Sequence, residues 1–408
     1  MNVLSKTKDV IILGGGLSGG LMAYRLAQRF PDLSISVIEK GPTFGGEHTW
    51  SFYRSDVSQE AFEWLQPFIK KSWNQGYEVH FPDFSRHLPV SYHSVVSDDF
   101  HREVSQKLSS DSSILNATVQ SVTLNEVELS DGRCFSANLV IDARGFESKS
   151  TVPCGYQKFV GLDVKLKSPH RLEYPVIMDA TVEQIDGYRF VYLLPWDEYR
   201  ILVEDTYYSD QPRLPVQEIR SRIESYFVKK SWEIEKIERV ETGVLPIPLS
   251  AFSPKPKPKN FHPTPVIGVK AGHFQAVTGY SFPYAVKVVE SVEKEISKLF
   301  EEKKKIGPHS IERVLAQLEE EQKKQDRFFY LLNRMLFLGA KPKQRYAILQ
   351  RFYRLSEGLI ERFYRGELKV MDRLRILMGK PPIPLHKAFF CLRSPSQKRL
   401  DLKNKGAF

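Results

Sequence analysis

The N-terminal apolar positions follow a strand, then a helix, then a second strand. Residues 9–13 (Asp-Val-Ile-Ile-Leu) form a short apolar run typical of a buried parallel strand, and three consecutive glycines follow it at once. Residues 20–30 carry apolar side chains at helical spacing, and residues 34–38 form a second apolar run that ends before Glu39. The pattern predicts one complete strand–helix–strand unit.

The rest of the chain changes character twice. From about Tyr77 to Val203 the apolar residues are β-branched and aromatic, which predicts strands rather than helices. Residues 138–142 and 266–269 predict two further buried strands, and residues 254–258 (Pro-Lys-Pro-Lys-Pro) are typical of an extended polar connector. Helical spacing then dominates from about residue 284 to the C-terminus.

The composition indicates a globular protein that does not span a membrane. Of the 408 residues, 41% are hydrophobic and 26% are charged, which excludes disordered, collagen-like and coiled-coil classes. The three cysteines (Cys134, Cys154 and Cys391) lack CxxC spacing, which argues against a disulfide framework or a zinc site, so no bound metal is predicted. No apolar run reaches the roughly 18 residues of a membrane-spanning helix. Reduced cytosol is the expected compartment.

Positive charge is concentrated at the C-terminal end. The net charge is +10, and residues 341–408 hold 17 Lys and Arg against 5 Asp and Glu, whereas the first 340 residues hold 42 against 44. This end is also rich in Phe, Tyr and Leu. The combination is compatible with an anionic membrane surface, with nucleic acid, or with a solvated helical face.

A glycine motif lies between the first strand and the first helix. Gly14, Gly16 and Gly19 allow a tight turn, a close approach of pyrophosphate to the backbone, and close helix–strand packing. Leu17 and Ser18 open the helix, whose N-terminal N–H groups favour phosphate. Glu39, 20 residues after Gly19, is placed to accept hydrogen bonds from ribose hydroxyls. The motif predicts a bound dinucleotide.

Further landmarks indicate that this dinucleotide is FAD. A second glycine pair, Gly45-Gly46, follows Glu39, and the strand at residues 139–142 runs into Ala143-Arg144-Gly145. The segment at residues 266–280 contains Gly272 and a glycine turn. No second GxGxxG is present for a separate nicotinamide. The predicted cofactor-binding residues are Gly14, Gly16, Leu17, Ser18, Gly19, Glu39, Lys40, Gly46, His48, Arg144, Gly272, Gly279 and Tyr280.

Three further segments carry a family resemblance. They are residues 45–52 (Gly-Gly-Glu-His-Thr-Trp-Ser-Phe), residues 192–210, which include Glu204-Asp205-Thr206-Tyr207-Tyr208, and residues 272–283, which include Thr278-Gly279-Tyr280-Ser281. Together they resemble the bacterial lycopene beta-cyclases, flavoproteins that close rings on the ends of an acyclic carotenoid. The resemblance covers nearly the whole chain. The sequence departs from expectation at two positions. Flavin hydroxylases of the same fold carry an aspartate after the glycine, where this chain has His273 after Gly272. Glu47 stands where a neutral polar residue is expected.

The resemblance implies ring closure without net redox change. Glu204 and Asp205 match the acidic pair of the family, and Glu204 is the expected acid that protonates a terminal double bond of lycopene. A carboxyl group in an apolar pocket keeps its proton near neutral pH because its charged form is poorly solvated. Asp205 points to the opposite face of a strand and is expected to play a supporting role. Reduced FAD is expected to stabilise the cation, with NAD(P)H needed only to reduce it.

The predicted fold is α/β, with three parts. An FAD-binding Rossmann-like domain of the glutathione-reductase and hydroxylase type comprises residues 1–75, 130–155 and 260–300. An inserted antiparallel β domain for substrate comprises residues 76–129 and 156–259. Residues 301–408 form a helical, basic region expected to associate peripherally with the cytoplasmic side of the membrane, with Phe328–Phe337 among acyl chains and Lys341, Lys343 and Arg345 at headgroups. The expected partners are lycopene and related acyclic carotenoids, which are membrane-soluble. Nucleic acid is not an expected partner, because the chain carries two units of a nucleotide-binding domain.

Other functions remain open at this point. A monooxygenase or an isoprenoid reductase of the same fold would consume nicotinamide in proportion to product. A non-catalytic carotenoid carrier would bind the pigment and leave it unchanged. The sequence does not distinguish cyclisation of one end from cyclisation of both ends, and it is silent on oligomeric state and on NADH against NADPH.

Overall fold

The computed structural model describes residues 7–145, 152–251, 264–378 and 385–392, and these contain sixteen strands and ten α-helices. The strands are β1 (Lys8–Leu13), β2 (Ile35–Ile38), β3 (Thr49–Tyr53), β4 (Ile69–Trp73), β5 (Tyr77–Phe81), β6 (Phe84–Leu88), β7 (Tyr92–Val96), β8 (Ser113–Ile114), β9 (Val119–Val122), β10 (Glu126–Leu129), β11 (Cys134–Asp142), β12 (Cys154–Leu166), β13 (Val176–Asp179), β14 (Tyr188–Pro195), β15 (Arg200–Ser209) and β16 (Ile234–Pro248). The helices are α1 (Leu17–Arg29), α2 (Gln59–Leu65), α3 (Ser97–Lys107), α4 (Val216–Lys230), α5 (Phe282–Glu301), α6 (Pro308–Arg334), α7 (Tyr346–Phe352), α8 (Glu357–Arg365), α9 (Val370–Leu377) and α10 (Leu385–Cys391).

The first sheet has six strands in the order β8-β2-β1-β11-β10-β9. Its centre is parallel: Val10 of β1 pairs with Ile35 of β2 on one side and with Leu139 of β11 on the other. Helices α1 and α5 pack on this centre through a shared apolar core. The predicted strand–helix–strand unit is confirmed, with α1 beginning three residues earlier than the apolar spacing suggests.

The second sheet has seven strands in the order β16-β12-β15-β14-β13-β5-β6. All its neighbours are antiparallel except β13 and β5. Helix α4 covers one face through Ile219, Ile223 and Phe227. The other face packs against a small third sheet, ordered β3-β7-β4, and against the C-terminal helices. This second face is therefore enclosed between the sheet and the rest of the molecule.

The structure corrects two predicted elements. Helix α3 interrupts the segment expected to be all strand, because its apolar positions are confined to Phe100 and Val104 on one face and give little helical signal. At residues 266–269 only Val266 makes a bridge, to Asp142, and a 3₁₀ turn follows from Gly268 to Ala271. The predicted connector at residues 254–258 lies outside the described residues.

The predicted domain boundaries also differ from the sheet membership. Residues 113–129 were assigned to the substrate domain, but β8, β9 and β10 extend the first sheet. Conversely, β3 and β4 lie within residues 1–75 and form the third sheet with β7. Strand pairing between residues far apart in sequence decides which sheet each strand joins, and the local residue pattern does not predict that pairing.

The C-terminal region is helical, as predicted, but its surface differs from expectation. Phe328, Phe329, Leu336 and Phe337 are buried in the core that faces the second sheet. Arg345 is 1% exposed, and its guanidinium group donates to the carbonyl oxygens of residues 208, 336 and 337 and to the Asp210 carboxylate. Among the described helices, none is long and apolar enough to cross a membrane.

Candidate active site

The glycine turn after β1 has the shape of a phosphate cradle. Gly14 has φ +94°, and a Cβ on Gly19 would lie 1.9 Å from the carbonyl oxygen of Gly14, so helix and turn approach too closely for any side chain. A Cβ on Gly16 would meet no protein atom within 4 Å. The open space at Gly16, beside the N-terminus of α1, is where the backbone can approach a pyrophosphate. Leu17 is buried beneath the turn, and Ser18 is partly exposed next to Gly268.

The acid after β2 is fixed by backbone groups. The Glu39 carboxylate accepts hydrogen bonds from the N–H of Gly15 and of Gly41, each at 2.7 Å. It is partly exposed beside the glycine turn, whereas Lys40 points to solvent. Gly46 has φ +64° and an exposed backbone. These positions form the edge of the same cradle.

The end of β11 carries a small ionic cluster. The Arg144 guanidinium donates twice to Asp142, and the Lys270 ammonium donates to the same carboxylate at 2.9 Å. Burial opposes ionisation of Asp142, but the hydrogen bonds from Arg144 and Lys270 hold its pKa below the usual value. Arg144 therefore anchors the turn next to Gly14.

The segment from Gly272 to Tyr280 closes the nucleotide region. Gly272 has φ +83° and Gly279 has φ +69°; a Cβ on Gly279 would touch Leu245 and Gln157 of the second sheet. His273 is 2% exposed, and its burial lowers the pKa of the imidazole to about 4, so the ring is neutral.

The Tyr280 hydroxyl group donates to the Asp56 carboxyl group, which also accepts from the N–H of Tyr53. Burial raises the pKa of Asp56 to about 7, although these hydrogen bonds oppose the increase. The turn around Tyr280 thus links both sheets to the loop after β3.

Glu204 lies in the middle of β15 on the enclosed face of the second sheet. It pairs with Gly161 of β12 on one side and with Tyr192 of β14 on the other. Its carboxyl group accepts a hydrogen bond from Thr206 at 2.6 Å, and no described Lys, Arg or His forms an ion pair with it. The side chain sits in a recess surrounded by protein, and this burial, followed by the negative charge of Glu241, raises its pKa well above the usual value.

Asp205 faces the other way. It is completely buried beneath α4, where the Arg189 guanidinium group donates to both of its carboxylate oxygens and Tyr207 donates at 2.8 Å. The structure therefore separates the two predicted catalytic residues onto opposite faces of β15. Tyr207 lies on the Asp205 side of the sheet, whereas Tyr208 lies on the Glu204 side.

One neighbour of Glu204, Glu241, lies on a strand that the sequence does not associate with it. Glu241 of β16 pairs with Gly161 from the far side, and its carboxylate accepts hydrogen bonds from Arg239 at 2.8 Å and from Thr49 at 2.9 Å. In residues 234–242 pairs of charged residues separate the apolar side chains of Ile234, Ile237 and Val240, so nothing local distinguishes Glu241 from its exposed neighbours. Only the pairing register reveals it.

Hydroxyl groups and aromatic rings complete the surroundings of the acid. The Tyr192 hydroxyl group makes hydrogen bonds of 2.9 Å to Ser51 and 2.8 Å to Tyr92. Thr49 and Ser51 belong to β3, which begins one residue after His48, so the acid lies beside the strand that leaves the nucleotide cradle. His48 itself is exposed, with its ring 6.0 Å from that of Trp50.

A cavity of about 400 Å³ lies elsewhere, on the outer side of α5. Its walls include Asp56, His273, Lys287, Gln322 and Arg365, and Glu204 is not among its lining residues. We therefore place the candidate active site on the enclosed sheet face around Glu204 rather than in this cavity.

Comparisons with known proteins identify the family and the fold. A family model described as lycopene cyclase protein matches residues 9–389. The chain is 40% identical to the lycopene beta-cyclase of Pseudescherichia vulneris over 387 residues, covering 94% of this chain and 96% of the relative. It is 39% identical to the lycopene beta-cyclase of a Paracoccus strain over 406 residues, covering 95% and 97%.

Solved structures show the fold. A geranylgeranyl bacteriochlorophyll reductase-like protein from Thermoplasma acidophilum is similar with a TM-score of 0.57 at 15% identity, covering 91% of this chain and 96% of that one. A flavin-dependent brominase gives a TM-score of 0.56 at 13% identity, covering 88% and 94%. From the family match and the two cyclase relatives together, the chain belongs to the lycopene cyclase family.

Proposed function

We propose that this protein is a lycopene beta-cyclase in which Glu204 is the acid. The observation that carries the proposal is a carboxyl group that is surrounded by protein, has no cationic partner among the described residues, and faces tyrosine side chains on an enclosed sheet face. Such a group keeps its proton near neutral pH and can give it to a weak base. A carboxylate with a purely structural role would be paired, as Asp205 is.

The reaction needs one proton in and one proton out. The Glu204 proton forms a new C–H bond with the π electrons of a terminal double bond, which leaves a tertiary cation on the adjacent carbon. A neighbouring double bond attacks this cation and closes the ring, and loss of a proton from the ring cation forms the beta ring. Repetition at the second end gives beta-carotene by way of gamma-carotene. Tyr192 and Tyr208 offer aromatic faces near the cation.

The cradle at the N-terminus of α1 fits FAD. The space at Gly16 would accept the pyrophosphate, Glu39 would accept hydrogen bonds from the ribose, and the turns at Gly46, Gly272 and Gly279 would border the rest of the cofactor. When bound and reduced, FAD supplies negative charge that stabilises a nearby cation electrostatically. NAD(P)H is proposed only as the reductant of FAD.

Peripheral docking on the cytoplasmic side of the membrane is proposed through α9 and α10 rather than through residues 328–337. One side of α9 exposes Val370 (71%), Met371 (71%) and Leu374 (47%), and α10 exposes Phe389 (71%). Lys369 and Arg375 are exposed beside this apolar side. A short amphipathic helix of this kind can enter the headgroup boundary, where it would bring the enzyme to its lipid-soluble substrate.

The proposed function is tested with purified enzyme, lycopene in vesicles and chemically reduced FAD under anaerobic conditions without nicotinamide. Many turnovers and one deuterium gained per ring in deuterated water are expected, because ring closure is an isomerisation. E204Q should reduce the rate of cyclisation by about 10³-fold or more with flavin content intact. E198Q is the control: Glu198 is exposed in the turn between β14 and β15, and its replacement should leave the rate unchanged.

No product without nicotinamide, with one nicotinamide oxidised per product once it is added, would instead identify a reductase, and a requirement for oxygen would identify a monooxygenase. Unchanged pigment with wild-type enzyme would identify a carrier. Either result would contradict the proposed role of Glu204.

A further inference from the structure

We propose that Glu241 is a positioning residue that keeps the proton on Glu204 by presenting a fixed carboxylate to it across Gly161. The inference rests on the proposed function, because it concerns the same acid. Glu241 is assigned no contact with the substrate.

The strand register brings the two carboxyl groups together. Gly161 in β12 is the Cα partner of Glu204 in β15 and also of Glu241 in β16, so the three residues form one row across the sheet. Both carboxyl groups project from the same face, above Gly161. A Cβ on Gly161 would lie 2.8 Å from Cγ of Glu241, so a larger residue would push the glutamate away. Glycine at this position is what allows the approach.

The hydrogen-bond partners of the two groups are unequal. Glu241 is 2% exposed and holds an ion pair with Arg239, and Thr49 donates to the same oxygen. Among the described residues, Glu204 accepts a side-chain hydrogen bond only from the hydroxyl group of Thr206. Two carboxylates this close do not both ionise easily, and the one with the cationic partner keeps the charge. The proton therefore belongs to Glu204.

The electrostatic surroundings agree with this assignment. Burial is the largest cause of the raised pKa of Glu204, the nearby Glu241 carboxyl group adds to it, and the hydrogen bond from Thr206 opposes it. The charged and titratable groups that face the pair come from four places: Arg239 on β16, Asp163 on β12, Tyr192 on β14 and His48 before β3. Asp205 on β15 faces away.

The proton balance of the reaction is unchanged by Glu241. Glu204 loses its proton to the alkene carbon and regains one when the ring cation loses its proton, with the C–H bonding electrons forming the ring double bond. Glu241 takes no part in these proton transfers, and Arg239 keeps its carboxylate in place beside Glu204.

The test is the titration of Glu204 in full-length enzyme, followed through the infrared band of a protonated carboxylic acid that E204Q removes. In E241Q this band should disappear at a pH about one unit lower than in wild type, and the alkaline limb of the cyclisation rate should move with it. E241D should give an intermediate shift. E235Q, at an exposed glutamate on the same strand, should change neither profile.

G161A provides a second route to the same end, since its methyl group displaces Glu241 without removing a charge. It should shift both profiles in the same direction as E241Q. Unshifted profiles in E241Q and G161A, with E204Q inactive, would overturn this inference and leave the proposed function standing. Full cyclisation in E204Q would overturn both.

Discussion

At the residue scale, the nucleotide cradle makes a sharp prediction because Gly16 has no protein neighbour for a Cβ to meet. G16V should fold normally yet place a side chain in the path of a pyrophosphate, and flavin retained after gel filtration should fall by at least about tenfold. Circular dichroism should be unchanged. G307A, at another glycine with open space, is the matched control. Normal flavin content in G16V would refute the cradle assignment.

A second prediction at this scale concerns the stability cost of the Glu204 carboxyl. Its pKa is raised in the folded protein, so ionisation is harder there than in the unfolded chain. Below the ordinary carboxyl pKa both states are protonated and there is no cost. As pH rises above it, the folded state loses about 1.4 kcal/mol per pH unit until its own raised pKa is reached.

E204Q removes this cost because glutamine does not ionise. The variant should therefore unfold at a higher temperature than wild type at pH 7, and the difference should vanish near pH 4. Thermal unfolding from pH 4 to pH 8 measures it. A variant that is less stable at every pH would show that the carboxyl group is structural.

Replacing the neighbouring Asp205, which forms an ion pair with Arg189, should destabilise the protein rather than stabilise it. Asp205 receives two hydrogen bonds from Arg189 beneath α4, and D205N would leave the guanidinium group buried without its counter-charge. The free energy of unfolding should fall by about 3 kcal/mol, while the rate per folded molecule falls much less than in E204Q. D186N, at an exposed partner of Lys158, is a milder control. Equal loss of rate in D205N and E204Q would make Asp205 catalytic.

At the element scale, the prediction concerns the apolar side of α9. In M371E/L374E two exposed side chains that would enter the lipid become charged, so binding to anionic vesicles should weaken by at least about tenfold. V228E, at a 79% exposed valine on α4, controls for added surface charge. Charge reversal at the exposed Lys341 and Lys343 tests the electrostatic part, which salt should screen. Equal binding by M371E/L374E and V228E would exclude α9 as the docking element.

At the scale of the whole molecule, Arg345 ties the C-terminal helices to the second sheet. Its buried guanidinium group donates hydrogen bonds to the carbonyl oxygens of Tyr208, Leu336 and Phe337. R345A should lower the free energy of unfolding by about 3 kcal/mol in a single transition, because several buried acceptors lose their donor together. K343A, two residues away and exposed, should have no effect. A variant as stable as K343A would mean that the helical region is not structurally coupled to the sheet.

The sequence by itself determined the local parts of this protein. Residues 9–39 specify their strand, turn and helix through an apolar period and three glycines, and the structure places Gly14, Gly16, Gly19 and Glu39 around one turn. The sequence also predicts the acidic pair Glu204 and Asp205, and the alternation of side chains along a strand predicts that the two lie on opposite faces of the sheet.

Tertiary structure alone decided what lies across from each of these residues. Glu241 is 37 positions from Glu204 in sequence and becomes its neighbour only because β15 and β16 both pair with β12 in one register. Long-range pairing also places β8, β9 and β10 in the first sheet. Long-range packing buries Arg345, although the local sequence gives no sign that it differs from the exposed Lys341 and Lys343. Local periodicity fixes which side of a strand a residue occupies, but strand order and register are set by long-range packing.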